Sequence, residues 1–341
     1  MENEKIEPVV IGKYSKGDSP VVVKTPVKRK SEDDSPVVLK KKKTNVRQIN
    51  FEPYKMPDVS KMKLKNLASS FINFFKSKGY LMNEGRAKAF IASMLSCRLL
   101  FLNRNDEDKL DILFEYFGAM PNVIDTVGLK KFNASDALKA IYSARFNPDG
   151  ITIVAVKATE SKDLDIFKEY AINPYDYSSI DVNCVINDRK HKHLVIPENV
   201  WIFVLTDDDH KFDVRKYGTY AKLSLTPCEV EECEHKIPSY NSFKEAFIDV
   251  KELDDLTWKK VDEIVGLIEA AGYKFDNRSL NMIDDYLVSL NEMGMDTNQA
   301  IDFLIINKIF YMTGDEMVKA LAKYSGIGSL KHTAKKLERM V

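Results

Sequence analysis

Apolar residues recur three and four positions apart from Lys61 onward, the spacing that places side chains on one face of a helix. The first such run ends at Gly79, a residue that suits a helix C-terminus, and it carries Leu64, Leu67, Phe71, Phe74 and Phe75. Further helices are predicted over Glu84–Ser96, Asp108–Phe117, Ala134–Arg145 and Leu164–Ala171. The turn sequence Asn-Pro-Asp-Gly at 147–150 ends one of them.

Short apolar runs between these helices predict buried strands. The runs cover Cys97–Leu102, Ile151–Val156 and Val200–Leu205, with Tyr220–Leu225 as a further candidate, and Ile151–Val156 is rich in β-branched residues. Strands that alternate with helices favour an α/β domain with a parallel sheet. The strand Cys97–Leu102, the charged turn after it and the next helix form the unit in which such domains place a phosphate-binding loop.

After about Tyr240 the pattern is helical only. Six helices are predicted, over Ser242–Val250, Thr257–Ala271, Asn277–Asn291, Asn298–Ile306, Gly314–Lys323 and Ser329–Met340. The chain therefore divides into a tail over residues 1–57, an α/β domain with N-terminal helices over 58–240, and a helical domain over 241–341.

The tail differs from the rest in composition. Tyr14 is its only aromatic residue before Phe51, so it cannot bury enough apolar surface to offset the entropy cost of ordering, and we expect disorder. Its basic residues form two clusters, Lys28, Arg29 and Lys30, then Lys40, Lys41, Lys42 and Lys43. Their spacing is that of a bipartite nuclear-localisation signal. The same clusters would also serve as a phosphate-binding tail, or form part of a solvated linker.

Bulk composition bounds the class of protein. The chain has 341 residues, and its 51 basic and 51 acidic residues cancel, so any attraction to nucleic acid or acidic lipid must be local. Four cysteines do not make a disulfide framework, and neither a signal peptide nor a long apolar run is present. These features predict a cytoplasmic protein without membrane contact, or a nuclear one in a eukaryote.

Several stretches, in order, resemble AAA+ ATPases of the McrB-like type, the nucleotide-driven subunits of modified-DNA restriction systems. The stretches are Lys88–Leu102, Ile196–Asp209, Gly272–Leu287, Ala300–Asp315 and Ser329–Val341, and the resemblance covers about residues 60–341. It implies a P-loop-type α/β domain followed by an all-helical lid. It also implies ATP or GTP with Mg²⁺ as ligands wherever the nucleotide-binding groups are present.

Those groups are missing at the phosphate loop. The pattern G-x-x-x-x-G-K-[ST] falls on Asn103–Leu110, where Lys109 alone matches. Asn103 and Asp108 stand at the glycine positions, although glycine is needed for a backbone with positive φ close to phosphate. Leu110 replaces the hydroxyl that holds Mg²⁺, and acidic residues precede Lys109. We expect this loop to be a scaffold turn.

Three further elements depart from the family pattern. Lys157 and Ala158 stand where the Walker B acids belong, and Glu160 is expected to begin a turn or helix. Thr206 matches the first sensor strand, but Asp208 replaces its asparagine. Arg215 or Lys216 aligns only loosely with the arginine finger, and Arg278 falls at the lid arginine. These vestigial positions predict that no nucleotide cofactor is used.

The sequence thus favours a catalytically inactive AAA+-like protein that serves as an interaction or scaffold subunit. Its partner would be a protein, such as an active AAA+ subunit or a nuclease, within a DNA-processing or defence assembly. Two alternatives stay open. One is a divergent subunit that hydrolyses ATP or GTP with Mg²⁺, and the other is a nucleic-acid-binding protein that uses its basic tail.

Two further groups of residues are candidates for binding a metal ion or phosphate. Cys228, Cys233 and His235, completed by Cys184, His191 or His193, are spaced more loosely than zinc-binding Cys-x₂-Cys pairs, so we expect no metal site. The basic segment 187–193 is predicted to be a solvated loop that could touch phosphate.

Overall fold

The computed structural model describes residues 47–125, 136–172, 179–207, 212, 214–244, 253–313 and 319–340. Contacts group the chain from Val46 onward into one compact unit, and the elements below belong to it. The predicted tail clusters at Lys28–Lys30 and Lys40–Lys43 lie outside the described residues, as does Asp208.

The first part of this unit mixes short strands and helices. In chain order they are β1 (Arg47–Ile49), β2 (Val59–Ser60), α1 (Leu64–Ser77), β3 (Tyr80–Met82), α2 (Glu84–Ser96), β4 (Leu99–Asn103), α3 (Leu110–Phe117), β5 (Val123–Ile124), α4 (Asp136–Ala144), β6 (Thr152–Lys157), α5 (Lys168–Ile172), β7 (Ser179–Ile186), β8 (Arg189–Val195), β9 (Val200–Thr206), β10 (Thr219–Tyr220), β11 (Leu225–Pro227) and β12 (Ile237–Pro238). Short 3-10 helices at Arg104–Lys109, Ser161–Phe167 and Arg215–Tyr217 join some of them.

The described C-terminal residues are helical. They form α6 (Tyr240–Lys244), α7 (Asp255–Ala270), α8 (Asn277–Glu292), α9 (Thr297–Leu304), a π-helical turn at Ile305–Ile309, α10 (Phe310–Thr313), 3-10 turns at Lys319–Lys323 and Ile327–Ser329, and α11 (Lys331–Glu338). The prediction of helices without strands after Tyr240 therefore agrees with the part that is described.

Five parallel strands form the central sheet in the order β10-β4-β9-β6-β5. Alternate residues of each strand point to opposite faces. In β9, for example, Trp201, Phe203 and Leu205 join one apolar core, and Ile202 and Val204 join the other. The sequence prediction of a mixed α/β fold with a parallel sheet is confirmed.

Different elements cover the two faces. The first core also holds the apolar faces of α1, α2 and α3 together with those of α7, α8 and α9. The second core holds α4, α5 and the inner face of β7. The described residues that follow β4 and β9 pack on opposite faces of the sheet, since Leu110 joins the first core and Phe212 and Val214 join the second.

Three predicted boundaries are wrong. The folded unit begins by residue 47 rather than after 57, because β1 pairs with β7 and Phe51 exchanges two hydrogen bonds with the Asn187 side chain, at 3.0 and 2.8 Å. The segment 187–193 is not a loop, since it forms the turn and most of β8 in a hairpin. The single strand predicted over 220–225 is instead two short strands in different sheets.

Candidate functional site

Three of the vestigial nucleotide positions lie side by side at the carboxyl edge of the central sheet. Asn103 pairs in register with Thr206, and Lys157 pairs with Leu205 on the other side of β9. The sequence had placed the phosphate loop, the Walker B position and the first sensor on these strands. The structure brings them together at one edge, here called the strand-end cluster (Asn103–Lys109, Lys157 and Thr206–Asp207).

The loop after β4 does not have phosphate-loop geometry. Its backbone is a 3-10 helix over Arg104–Lys109, begun by the Asn103 side chain, which accepts a hydrogen bond from the Asn105 backbone N–H at 2.9 Å. No residue from Asn103 to Leu110, all of which the structure describes, has a positive φ. A loop that wraps phosphate with successive N–H groups needs such residues. The local chain therefore folds as a capped turn.

Ion pairs tie this turn to the neighbouring strands. Lys157 Nζ lies 2.7 Å from a Glu107 carboxylate oxygen and 2.8 Å from one of Asp125. Arg104 lies 3.5 Å from Asp207 at the end of β9. Hydrogen bonds to Asp125 and Glu107 raise the pKa of Lys157, so the ammonium stays charged. The cation at the Walker B position is thus already bound by the protein's own carboxylates.

The rest of the loop also lacks groups for Mg²⁺ or phosphate. The ammonium of Lys109 pairs with the adjacent Asp108 carboxylate. Leu110 is 2% exposed and packs in the first core, so the hydroxyl position of the motif faces the interior. Beside this loop is a shallow pocket of about 500 Å³ that contains three carboxylates and is lined by Asn105, Glu107, Asp108, Leu110, Asp111 and Val123. Such a surface repels a triphosphate.

The Walker B region confirms the interpretation of Glu160. Ala158 is buried, and its N–H donates to the Leu205 carbonyl at 3.0 Å, which continues the strand pairing. Glu160 is the N-cap of the following 3-10 helix and forms a capping box with Asp163. The Asp163 carboxylate accepts from the Thr159 and Glu160 N–H groups at 2.9 and 3.0 Å. Both acids therefore serve the helix terminus.

The remaining nucleotide-site candidates have structural contacts. Thr206 is fully buried, and its hydroxyl donates to the Asp207 carbonyl at 3.1 Å. The Arg215 guanidinium lies 4.0 Å from the centre of the Tyr311 ring, and Lys216 lies 3.8 Å from an Asp276 carboxylate oxygen. Arg278 donates to the Ala171 carbonyl at 2.7 Å and lies over Tyr217. These cations join α8 and α10 to the α/β part of the fold.

The weak metal candidates are not assembled into a site. His235 Nε2 donates to the Tyr116 carbonyl at 3.0 Å, and its ring lies between Phe74 and Tyr116, where burial lowers the histidine pKa. Cys233 donates to the Asn73 carbonyl at 3.4 Å, while Cys184 is buried in the second core. Within the described ranges, no cluster of three or more His, Cys, Asp or Glu residues is arranged to hold a metal.

One buried lysine escaped the sequence analysis. Lys308 lies in the π-helical turn, is 1% exposed, and donates to the carbonyls of Lys216 and Gly218 at 2.8 and 2.7 Å. Burial lowers its pKa to about 8. The lysine fastens the helical segment to the chain that enters β10. Its place on the apolar face of the helix, between Ile305 and Ile309, is the only sequence signal for this role.

No protein-family model matches the chain, and no curated protein is similar to it. Within the described ranges, no helix combines the length and apolar character that crossing a bilayer requires. The functional inference therefore rests on the chain's own residues.

Proposed function

We propose that this protein is a degenerate AAA+-like domain of the McrB-like type that neither binds nor hydrolyses nucleotide and acts as an interaction or scaffold subunit. The arrangement of the sheet supports the resemblance. A phosphate loop, a Walker B strand and a sensor strand must act on one nucleotide, so they must end at one edge. Here β4, β6 and β9, which carry the corresponding sequence positions, do so.

The strand-end cluster supports the loss of activity. Hydrolysis needs donors for the phosphates, an oxygen ligand for Mg²⁺ and a group that positions water. At these positions the chain has a capped 3-10 turn, a buried leucine, and Lys157 held between Glu107 and Asp125. The Lys157–Glu107 ion pair is the observation that carries the proposal, because it joins two elements that would otherwise face the phosphates.

The chain keeps the fold but lacks the groups that bind and hydrolyse nucleotide, and this combination favours a role in assembly. The core of α1–α3 and α7–α9 is continuous, so the helical part packs directly against the α/β part. A protein partner, such as an active AAA+ subunit or a nuclease in a DNA-processing or defence assembly, would use this scaffold. Co-expression with an ATPase or nuclease encoded beside its gene, followed by a mass measurement of the purified complex, tests that role.

Loss of hydrolysis is tested with the full chain. Phosphate release from ATP and from GTP with Mg²⁺ should equal the rate without protein. The Lys109→Ala variant should give the same rate, because Lys109 pairs with Asp108 and has no phosphate to bind. Release by the wild type that disappears in Lys109→Ala would contradict the proposal.

A further inference from the structure

A second, smaller sheet has three exposed basic residues on its edge strand. Strands β1, β7 and β8 form it in that order, and Asn187 and Asp188, both with positive φ, make the tight turn of the β7–β8 hairpin. Strand β8 reads Arg-Lys-His-Lys-His, and Arg189, Lys190 and Lys192 are exposed. Arg189 and His191 pair with the inward-facing Ile186 and Cys184, whereas Lys190 pairs with Val185, so the cations lie on both sides of this edge strand. Among the described strands, β8 pairs with β7 alone.

An aromatic cluster lies beside this strand. Phe146 follows α4, is 58% exposed, and contacts Tyr142 with a ring-centre distance of 5.4 Å. Tyr142 in turn packs edge-on against Phe51 at 5.3 Å and against His191 of β8 at 5.9 Å. The buried Tyr142 ring, packed against the partly buried Phe51 and His191, supports Phe146 at the surface next to the basic strand. An exposed phenylalanine on a supported aromatic base suits stacking with a flat ligand.

The cations of this surface are not neutralised by nearby acids. Asp181 is bound by His193 at 2.6 Å, and Asp188 accepts a hydrogen bond from Gln48 at 3.1 Å. Arg145, beside Phe146, is exposed, and burial followed by the charges of Arg145 and Arg189 lowers the pKa of His191. Within the described ranges, Arg145, Arg189, Lys190 and Lys192 form no ion pair. A chain with zero net charge thus concentrates positive charge here.

We propose that this surface binds single-stranded nucleic acid, with Arg145, Arg189, Lys190 and Lys192 contacting phosphates and the Phe146 ring stacking on an unpaired base. We call these five residues the basic edge. Cations that follow the backbone, interleaved with an aromatic ring, are the means by which proteins hold single strands without reading their sequence. A duplex would bind this surface less well, since its base faces are already stacked on one another and cannot stack on the Phe146 ring. The inference is independent of the nucleotide site.

Two other roles for strand β8 would explain fewer of the residues on this surface. Edge lysines discourage pairing with another sheet, but that role needs no exposed aromatic ring. An acidic peptide could add as a further strand to β8, but its main-chain hydrogen bonds would leave Arg145 and Phe146, which follow α4, without a function.

The charge part of the proposal is tested in the full-length chain. Fluorescence anisotropy measures binding of a labelled oligothymidylate of about 20 nucleotides, longer than one typical site, at several salt concentrations. The triple variant Arg145→Gln, Arg189→Gln, Lys190→Gln should raise Kd at least about tenfold and lower the salt slope by about two. The matched triple Lys259→Gln, Lys331→Gln, Lys335→Gln removes three exposed lysines from α7 and α11 and should change Kd less than about twofold.

The stacking part of the proposal is tested with two oligonucleotide probes and two further variants. The wild type should bind oligothymidylate about tenfold more tightly than an abasic strand with the same number of phosphates. Phe146→Ala should abolish that preference, while Leu256→Ala, which truncates another exposed apolar residue (64% exposed), should keep it. Thermal unfolding of each variant confirms that it folds.

Four results would overturn the proposal. They are no binding by the wild type, equal losses in the two triple variants, an unchanged preference in Phe146→Ala, and competition by polyglutamate as strong as that by the oligonucleotide. A variant with glutamine at Lys40–Lys43 separates the tail from the basic edge. If this variant alone loses binding and the basic-edge triple does not, the tail is the binding element.

Discussion

Some single residues lower the free energy of unfolding at neutral pH. Asp285 lies largely buried on α8, and burial, followed by the charge of Asp284, raises its pKa to about 6. Its folded-state pKa is above the unfolded value, so the folded protein holds this proton more tightly. The stabilising effect of protonation is therefore full below about pH 4 and is lost as pH rises through 6.

Asp285→Asn should accordingly stabilise the protein at neutral pH. We expect the free energy of unfolding at pH 7.5 to rise by about 1–2 kcal/mol, allowing for partial exposure, and the gain to vanish near pH 4. Urea unfolding at several pH values measures it. Glu292→Gln, at an exposed position of the same helix, is the control for removal of a carboxylate and should change the free energy of unfolding by less than about 0.5 kcal/mol. A loss of stability in Asp285→Asn at pH 7.5 would show that the carboxylate has a favourable partner.

Gly218 is required by a close approach at the start of β10. A methyl group there would lie 2.5 Å from the Phe101 ring and 2.9 Å from the Leu99 carbonyl oxygen. Gly218→Ala should therefore lower the free energy of unfolding by about 1–3 kcal/mol. Gly266→Ala, in α7, is the matched control, because no atom lies within 4 Å of the position that its added methyl group would take. This change should raise the free energy of unfolding by up to about 1 kcal/mol. Equal effects of the two changes in chemical denaturation would refute the steric explanation.

At the scale of elements, helical periodicity and continuous apolar runs predicted the elements that are buried in the cores. Helix α2 has the predicted bounds Glu84–Ser96, β6 is shifted from its predicted bounds by one residue at each end, and β9 is one residue longer than predicted at its C-terminal end. The β7–β8 hairpin was missed because its charged strand lacks an apolar run, although Asn-Asp between two alternating segments is a turn signal. Strand β1 has only three residues, and pairing with distant β7 defines it.

The candidate site was predicted in position but not in contacts. Sequence alone indicated that Lys157, Asn103 and Thr206 end neighbouring strands. It could not reveal that Lys157 binds Glu107 and Asp125, because those partners lie 50 and 32 positions away in the chain. Lys308 was missed for the same reason, since its acceptors are backbone carbonyls that no side-chain pattern encodes.

The loop after β4 should not regain activity by partial restoration of its motif. Asp108→Gly with Leu110→Thr should give no ATP hydrolysis, because the Walker B acids are absent and Lys157 still occupies their place. The variant should also lose about 2–4 kcal/mol of stability, since Leu110 is buried in the first core. Phosphate release and chemical denaturation measure the two effects. Asp108→Gly alone is the control for stability, and ATPase activity in the double variant would refute the account.

At the scale of the whole molecule, zero net charge conceals two surfaces of opposite sign. The pocket beside the strand-end cluster contains Glu107, Asp108 and Asp111, whereas the basic edge carries four cations and an exposed aromatic ring. A nucleic acid strand would be repelled from the first surface and attracted to the second. The strand-end cluster and the basic edge are formed by different residues, so the two proposals can be tested independently.

The most direct measurement is thermal unfolding of the full chain titrated with ATP and with GTP in the presence of Mg²⁺. A ligand that binds the folded state and is present at 100 times its Kd adds about 2.7 kcal/mol of stability. The strand-end cluster predicts no shift in Tm with either nucleotide, in the wild type or in Lys157→Met. A concentration-dependent rise in Tm that Lys109→Ala removes would contradict the proposal that the strand-end cluster binds no nucleotide because its own ion pairs occupy it.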